Sequence, residues 1–140
     1  TTNMKKKLKR SAEIKKLDRI FSKYIRLRDS EMEYGRCCTC GELKHYKEAH
    51  CGHFIKRGCM LTRFDERNCQ LQCCGCNTYR EGEQAKHLIH IEDKHGREVV
   101  DELMRLERVW KQGCAPKIGV HEIRELQEVF KQKTKELGDS

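Results

Sequence analysis

Two segments with the same cysteine spacing decide how this chain folds: CCTCG at residues 37–41 and CCGCN at residues 73–77. In each segment, a Cys-x-x-Cys turn places two thiolates where both can bind one metal ion. Two such turns supply the four ligands of a closed, tetrahedral zinc site, which is structural and not catalytic. The spacing therefore predicts a structural Zn²⁺ bound by Cys37, Cys40, Cys73 and Cys76.

Nine of the ten cysteines lie within residues 36–82, so the spacing does not settle the ligand set alone. The alternatives are disulfides, simple burial, or a different fourth ligand. We favour zinc, because the chain is 36% hydrophobic and 37% charged and so lean a core gains stability from a metal. No apolar run is long enough for a signal peptide or a membrane span, which predicts no membrane partner, a cytoplasmic location and reduced thiols. The cysteines left over by the spacing are Cys38, Cys51, Cys59, Cys69 and Cys74.

Positive charge is concentrated at the N-terminus. Residues 1–28 hold 11 basic and 2 acidic side chains, whereas the remaining 112 residues hold 19 and 20. A concentrated basic face is typical of a protein that binds nucleic acid, although a solvated helix face has the same pattern. We expect contacts with DNA from the N-terminal arm and from the region between the cysteine pairs, through Lys5, Lys6, Lys7, Lys9, Arg10, Lys56, Arg57, Arg63, Arg67 and Arg80.

Hydrophobic spacing predicts an α+β protein in three parts: a basic helical arm at 1–35, a zinc-knuckle core at 36–82 and a helical region at 83–140. We expect helices over 8–28, 83–111 and 120–137, and strands near 48–55 and 70–72. His95-Gly96 is expected to break the second helix, and Gly113 with Pro116 to end it. Tyr79 and Trp110 are expected in the core.

Three polar residues between and after the cysteine pairs suit the hydrolysis of a phosphodiester bond. That reaction needs a base that activates water and a divalent ion that stabilises charge on the phosphate. His53 suits the base, and the side-chain oxygen of Asn77 suits Mg²⁺. Taken singly, His53 would be read as a packed histidine, Asn68 as a turn residue and Asn77 as a helix cap. Their position around the zinc turns favours a catalytic role.

The segments Gly52-His53-Phe54, Arg63 to Asn68 and Gln72 to Asn77 resemble the NinG (Rap) recombination family of lambdoid phages. The resemblance covers about residues 20–137. More broadly, the pattern is similar to the HNH nuclease motif in its His-Asn-Asn form, as in the phage endonuclease VII family. It implies a small ββα-metal core flanked by helices, inside the host cell. It also implies an endonuclease that cuts branched DNA, such as Holliday junctions and D-loops, with Mg²⁺ or Mn²⁺.

Within that resemblance, His53 becomes the general base, Asn77 a ligand of the catalytic ion, and Asn68 the brace that orients the histidine. One position departs from the pattern, because many HNH enzymes have a metal-binding aspartate where this chain has Gly52. His50, on the same strand face as Gly52, is one substitute, and the loop residues Asp65 and Glu66 are two others. Cutting two opposed strands also leads us to expect a homodimer.

Two other functions fit the same sequence. A non-catalytic, zinc-dependent DNA-binding module would keep the cysteine turns and the basic arm but would have no use for His53 or Asn77. A general or nicking HNH endonuclease would keep the catalytic residues and differ only in its substrate.

Overall fold

The structure is a computed structural model that describes residues 2–138, and it has both helices and small antiparallel sheets. The side chains of Lys5, Lys6 and Lys7, predicted to contact DNA, lie outside what the structure describes. The helices are α1 (Thr2–Arg28), α2 (Met60–Arg63), α3 (Gln84–His95), α4 (Arg97–Lys111) and α5 (Val120–Gly138). The strands are β1 (Ser30–Glu31), β2 (Tyr34–Arg36), β3 (Leu43–His45), β4 (His50–His53) and β5 (Cys69–Gln72).

The chain divides into two compact units, and the first is formed by the N-terminal and C-terminal segments of the sequence. It comprises the described parts of residues 1–24 and 116–140. Leu17 and Phe21 of α1 are buried, and the rings of Phe21 and of Phe130 on α5 meet edge to face at 4.9 Å. Gln127 of α5 donates hydrogen bonds to the backbone oxygen and the carboxylate of Glu13. The predicted C-terminal helix is confirmed, and its apolar stripe packs on α1.

The second unit, residues 25–115, contains the cysteine turns and two small sheets. Strands β1, β2 and β3 form an antiparallel sheet that leads into the first cysteine turn. Strands β4 and β5 form an antiparallel hairpin in which His50 faces Gln72 and His53 faces Cys69. Strands were predicted near 48–55 and 70–72, but their pairing was not assigned. Strand β4 is shorter than predicted, because Tyr46–Glu48 form a 3₁₀ turn and residues 54 and 55 turn into the loop. The three-stranded sheet was not predicted.

A strained turn joins β1 to β2. Met32 and Glu33 form a two-residue connection, and both have positive φ, 51° and 71°. Tight hairpins need that geometry, which glycine or asparagine adopts at little cost and other residues adopt with strain.

Met32→Gly is therefore expected to raise the free energy of unfolding by about 0.5–1 kcal/mol, because the Met32 side chain is exposed and relief of the strain exceeds the added entropy of the unfolded chain. Urea denaturation measures this change. Glu31→Gly, in the neighbouring strand, is the matched control and should destabilise the protein. Equal effects of the two substitutions would contradict the strain.

Helices α3 and α4 form the core of the second unit. Phe54 and Ile55, just after β4, are buried with Ile91 of α3 and Leu103 of α4. The break between the two helices was predicted at His95-Gly96, and Gly96 lies there with φ of 96°, a conformation open to glycine. Trp110 packs against this core as expected. Tyr79 does not, because it lies in a single helical turn beside the second cysteine pair and is 81% exposed. That prediction is wrong.

Asp29 ties the end of α1 to the hairpin. Its carboxylate accepts hydrogen bonds from Arg28 and from the backbone amide of Leu71. Arg28 in turn donates to the carbonyl oxygens of Glu66 and Cys69. Burial by itself would raise the pKa of Asp29, but Arg28, the Leu71 amide and Lys94 outweigh it and hold the pKa below its usual value.

Asp29→Asn is expected to cost about 1–3 kcal/mol of stability at neutral pH, because it removes the charge from these hydrogen bonds. A carboxyl whose pKa is lowered by folding stabilises the protein above its unfolded pKa, and this contribution is lost as pH falls through the folded pKa. The difference between wild type and Asp29→Asn should thus shrink as pH falls below about 4. Urea denaturation at pH 7, 5 and 3 measures it, and a constant difference would contradict the assignment.

Candidate functional site

The four predicted zinc ligands lie together. The sulfur atoms of Cys37, Cys40, Cys73 and Cys76 all lie within 4.8 Å of one another. The Cys40 and Cys73 sulfurs are 3.7 Å apart, close to the roughly 3.8 Å edge of a zinc tetrathiolate with 2.3 Å bonds. Three of these cysteines are buried. The cluster can therefore hold a structural metal such as zinc.

Backbone amides of the two turns stabilise the thiolate of Cys37 but not of every ligand. Burial by itself would raise the pKa of the Cys37 thiol, but backbone hydrogen bonds from both turns, together with Thr39, lower it to about 6. Burial raises the pKa of Cys73. The Glu42 amide by itself would lower the pKa of Cys40, but burial and the neighbouring thiols outweigh it and raise that pKa to about 12. Zinc would therefore have to displace the protons of Cys40 and Cys73.

The amide of Cys76 donates to the Cys73 sulfur at 3.4 Å. Arg80, predicted to contact DNA, donates to the Cys76 sulfur at 3.2 Å. Its guanidinium thus adds positive charge beside the thiolates.

His53 ends β4, and its ring is fixed by the loop that follows. Its Nε2 lies 2.9 Å from the backbone oxygen of Arg63. A carbonyl oxygen only accepts hydrogen bonds, so Nε2 carries the proton and the neutral ring has its lone pair on Nδ1. This contact selects one tautomer and one ring orientation.

Asn68 is fully buried and holds the same loop in place. Its side-chain oxygen accepts from the amide of Ile55 at 2.8 Å, and its nitrogen donates to the carbonyl oxygens of Ile55 and Thr62. Thr62 directly precedes Arg63, the residue that contacts His53. The geometry therefore links Asn68 to the histidine through one short loop.

His50 and Asn77 meet at the other face of the hairpin. Side chains alternate along a strand, so His50 and His53 point to opposite faces of β4. Asn77 lies in the single π-helical turn Gly75–Tyr79, and its Nδ2 is 3.0 Å from Nδ1 of His50. Such turns are frequent at functional sites. The pair joins the first hairpin strand to the second cysteine turn.

A side chain at residue 52 would collide with Gln72. A Cβ atom at residue 52 would lie 2.3 Å from Oε1 of Gln72. Gln72 is fully buried, and its Nε2 donates to Thr39 Oγ1 and to the Gly82 oxygen. Its Oε1 has no hydrogen-bond partner among the residues that the structure describes. The Gln72 side chain therefore occupies the space that any side chain at residue 52 would need.

Helix α3 covers this part of the hairpin with a neutral histidine. His87 is fully buried, and its Nε2 contacts Oε1 of Gln70 on β5. Burial, with smaller contributions from His90 and His53, lowers the pKa of His87 to about 4. Near neutral pH it adds no positive charge beside the hairpin.

Of the three proposed substitutes for the missing aspartate, His50 is the one that contacts Asn77. The Asp65 carboxylate instead accepts two hydrogen bonds from the Arg67 guanidinium and one from the Arg67 amide. The Glu66 backbone oxygen accepts from Arg28. The hydrogen bonds to Arg67 give the Asp65 carboxylate a structural role in its loop.

The basic residues predicted to contact DNA lie in different settings. Lys56 and Arg57 are exposed just after β4, and Lys56 donates to the Glu81 oxygen. Arg63 donates to the Arg57 oxygen, and Arg67 pairs with Asp65. In the first unit, Lys9 is exposed and Arg10 donates to the Ile118 oxygen.

Gln72 was missed as a site residue. It is next to a zinc ligand in sequence and two positions from Gln70, and polar residues at alternate positions of a strand normally indicate a solvated face. Both are buried here. The absent side chain at Gly52 was the available signal, since a buried glycine in a strand often marks the close approach of another group.

Comparison with known proteins places the chain in one family. A family model described as the bacteriophage lambda NinG protein matches residues 2–139. Protein ninG of Escherichia phage 933W is 29% identical over 134 residues, covering 94% of this chain and 61% of that protein. Protein ninG of Escherichia phage lambda is 30% identical over 95 residues, covering 67% of this chain and 45% of that protein.

The chain thus corresponds to only part of the length of these relatives. No solved structure matches it. Among residues 2–138, no helix has the length and apolar character needed to cross a membrane. Because the family model matches nearly every residue, the chain belongs to the NinG family of lambdoid phage proteins.

Proposed function

We propose that this chain is a metal-dependent DNA endonuclease of the HNH type, with His53 as its general base. The observation that carries the proposal is the hydrogen bond between His53 and the Arg63 oxygen, in a loop held by the buried Asn68. A base that abstracts a proton must have a defined tautomer and direction, and this contact supplies both.

His50, Asn77 and Gln72 suit a divalent ion on the opposite face of the hairpin. The Asn77 amide lies 3.0 Å from the His50 ring, and rotating it by half a turn would bring its oxygen toward the same nitrogen. In the structure the amide nitrogen bonds to the ring, whereas in the rotated form the amide oxygen and the ring nitrogen could both bind one cation. The unpartnered Gln72 oxygen lies beside Gly52 on the same face of the hairpin. Oxygen and imidazole ligands suit Mg²⁺ or Mn²⁺.

The chemistry then divides between the ion and the chain. The scissile phosphate would have to lie across the edge of the hairpin to reach both His53 and the ion on the opposite face. A bound divalent ion would supply positive charge to that phosphate and to its leaving oxygen. Nδ1 of His53 takes a proton from the attacking water, while Nε2 keeps its bond to the Arg63 oxygen. Lys56 and Arg57, exposed just past the base, contact the phosphate backbone. The zinc turns hold Asn77 rigidly in place.

The proposed substrate is branched DNA of the kind formed in recombination, such as a Holliday junction or a D-loop. This follows from the resemblance to the NinG (Rap) family and HNH nucleases. A homodimer would present two active sites to two opposed strands. The protein would act inside the host cell, where phage DNA recombines. The basic residues of α1 would give an affinity that falls with salt.

His50→Ala and Asn77→Ala are each expected to weaken Mn²⁺ binding at least about tenfold, the scale on which the loss of a metal-orienting group acts. Electron paramagnetic resonance of Mn²⁺ measures the affinity without reference to cleavage. His45→Ala is the control, since His45 is a half-buried histidine of the same unit that bonds to Glu33. Unchanged Mn²⁺ affinity in both variants would refute the assigned ligands.

A cleavage assay tests the function and its substrate together. A four-way junction and a linear duplex of the same sequence are incubated with Mg²⁺ and protein that carries one zinc ion per chain. Preferential cutting of the junction supports the proposal, and equal cutting supports a general HNH nuclease. Tight binding without cutting supports the zinc-dependent DNA-binding module.

A further inference from the structure

A second group of metal-binding side chains lies on the His53 face of the hairpin. Cys51 and His53 are two residues apart on β4, so they share a face. Cys69 is the cross-strand partner of His53 on β5. One ligand atom from each of the three residues lies within 4.8 Å of the other two. None of the three belongs to the Cys₄ cluster.

The ligands select a soft cation. Two sulfurs and one imidazole suit Zn²⁺, whereas Mg²⁺ and Mn²⁺ prefer oxygen ligands. Cys69 is fully buried, and Cys51 and His53 are half-buried, so the site is reachable from one side. Three protein ligands leave a fourth coordination position open, as in zinc sites that keep a water molecule.

Burial and the neighbouring Cys51 raise the pKa of Cys69 well above its usual value, so zinc would have to displace the proton of that thiol. Three charged groups lie near the cluster. Arg26 lies near Cys51, and Arg28 and Asp65 lie near Cys69. Two guanidinium groups favour deprotonated sulfur, and the carboxylate partly offsets their repulsion of a cation. Two thiolates and one Zn²⁺ form a neutral set of charges.

We propose that Cys51, His53 and Cys69 form a second zinc site, separate from the structural Cys₄ site. The effect of this zinc on DNA cleavage rests on the proposed function. Because Nε2 of His53 is bonded to the Arg63 oxygen, Nδ1 is the atom that would bind zinc and also the atom that would accept a proton. One nitrogen cannot do both, so zinc at this site inhibits cleavage and a zinc chelator of moderate strength restores it.

Zinc stoichiometry tests the site without any reference to cleavage. Wild type, Cys51→Ala, Cys69→Ala and the control Cys74→Ala, a half-buried cysteine outside both clusters, are saturated with zinc and gel-filtered. We expect two zinc ions per chain in wild type and control, and one in the other two variants. In cobalt-substituted protein, Cys51→Ala should lose the absorption of a two-sulfur site and keep that of the tetrathiolate. One zinc per chain in the wild type, or two in Cys51→Ala, overturns the proposal.

The inhibition is measured as the ratio of junction cleavage with and without a second equivalent of zinc. In wild type the rate with the second equivalent should be at most about one tenth of the rate without it, and in Cys51→Ala the two rates should be nearly equal. A wild type that cuts equally well with two zinc ions bound overturns the inhibition and leaves the site standing. A protein that binds two zinc ions and never cuts refutes the proposed function, and the zinc site stands by its stoichiometry.

Discussion

His53→Ala is expected to lower the rate of DNA cleavage about 10²- to 10⁴-fold, the usual contribution of a general base. The side chain sits at the end of β4, with its ring held by the Arg63 oxygen, and alanine removes the proton acceptor without adding bulk. DNA affinity and the Cys₄ zinc should be retained. Single-turnover cleavage of a four-way junction gives the rate, and added imidazole should restore part of it.

His45→Ala is the matched control, because it removes a histidine of comparable burial from the same unit. It should cleave at a rate close to that of the wild type. Equal rates in wild type and His53→Ala would show that another group activates the water. Loss of activity in His45→Ala as well would show that the defect is one of folding.

Cys40→Ser is expected to unfold the second unit. Zinc binding to a tetrathiolate contributes about 10 kcal/mol or more, comparable with the whole stability of a small domain. Cys40 is exposed and lies 3.7 Å from the Cys73 sulfur, so serine disturbs little besides the metal. Circular dichroism should show a loss of helical signal. The thermal unfolding transition should disappear, or its midpoint should fall by roughly tens of degrees.

Cys114→Ser is the control, since Cys114 is exposed and lies outside both metal clusters. It should keep its zinc and its thermal transition. A strong zinc chelator should reproduce the effect of Cys40→Ser in the wild type. A chain that stays folded without zinc would refute the structural role of the cluster.

The parts of the fold that could be predicted from the sequence are those with local signals. Cysteine spacing within each turn predicted the cluster of four sulfurs, and a glycine predicted the break between α3 and α4. The three-stranded sheet was missed because strands of two or three residues show no alternation. Its turn at Met32 and Glu33 also lacks the glycine that normally marks positive φ. The pairing of α1 with α5 joins distant segments, which no local pattern reveals.

The candidate site can also be divided into features with a local sequence signal and features that depend on tertiary contacts. Alternation along β4 already separates His50 from His53, and the sequence offered His50 as one of three substitutes for the missing aspartate. Which substitute reaches Asn77 depends on how the second cysteine turn packs, and that is a tertiary contact. The approach of Cys69 to Cys51 depends on the strand register, which is set by a loop of fifteen residues between β4 and β5. Tyr79 was assigned to the core because an aromatic residue is usually buried.

The central claim is that this member of the NinG family hydrolyses DNA with a divalent ion. Its most direct measurement is junction cleavage by wild type with one zinc ion per chain while Mg²⁺ or Mn²⁺ is titrated from zero, with DNA binding followed in parallel. The account predicts no cutting without the added ion and saturable cutting with it. A folded protein with one zinc ion per chain that binds the junction and leaves it intact at every ion concentration would contradict the claim.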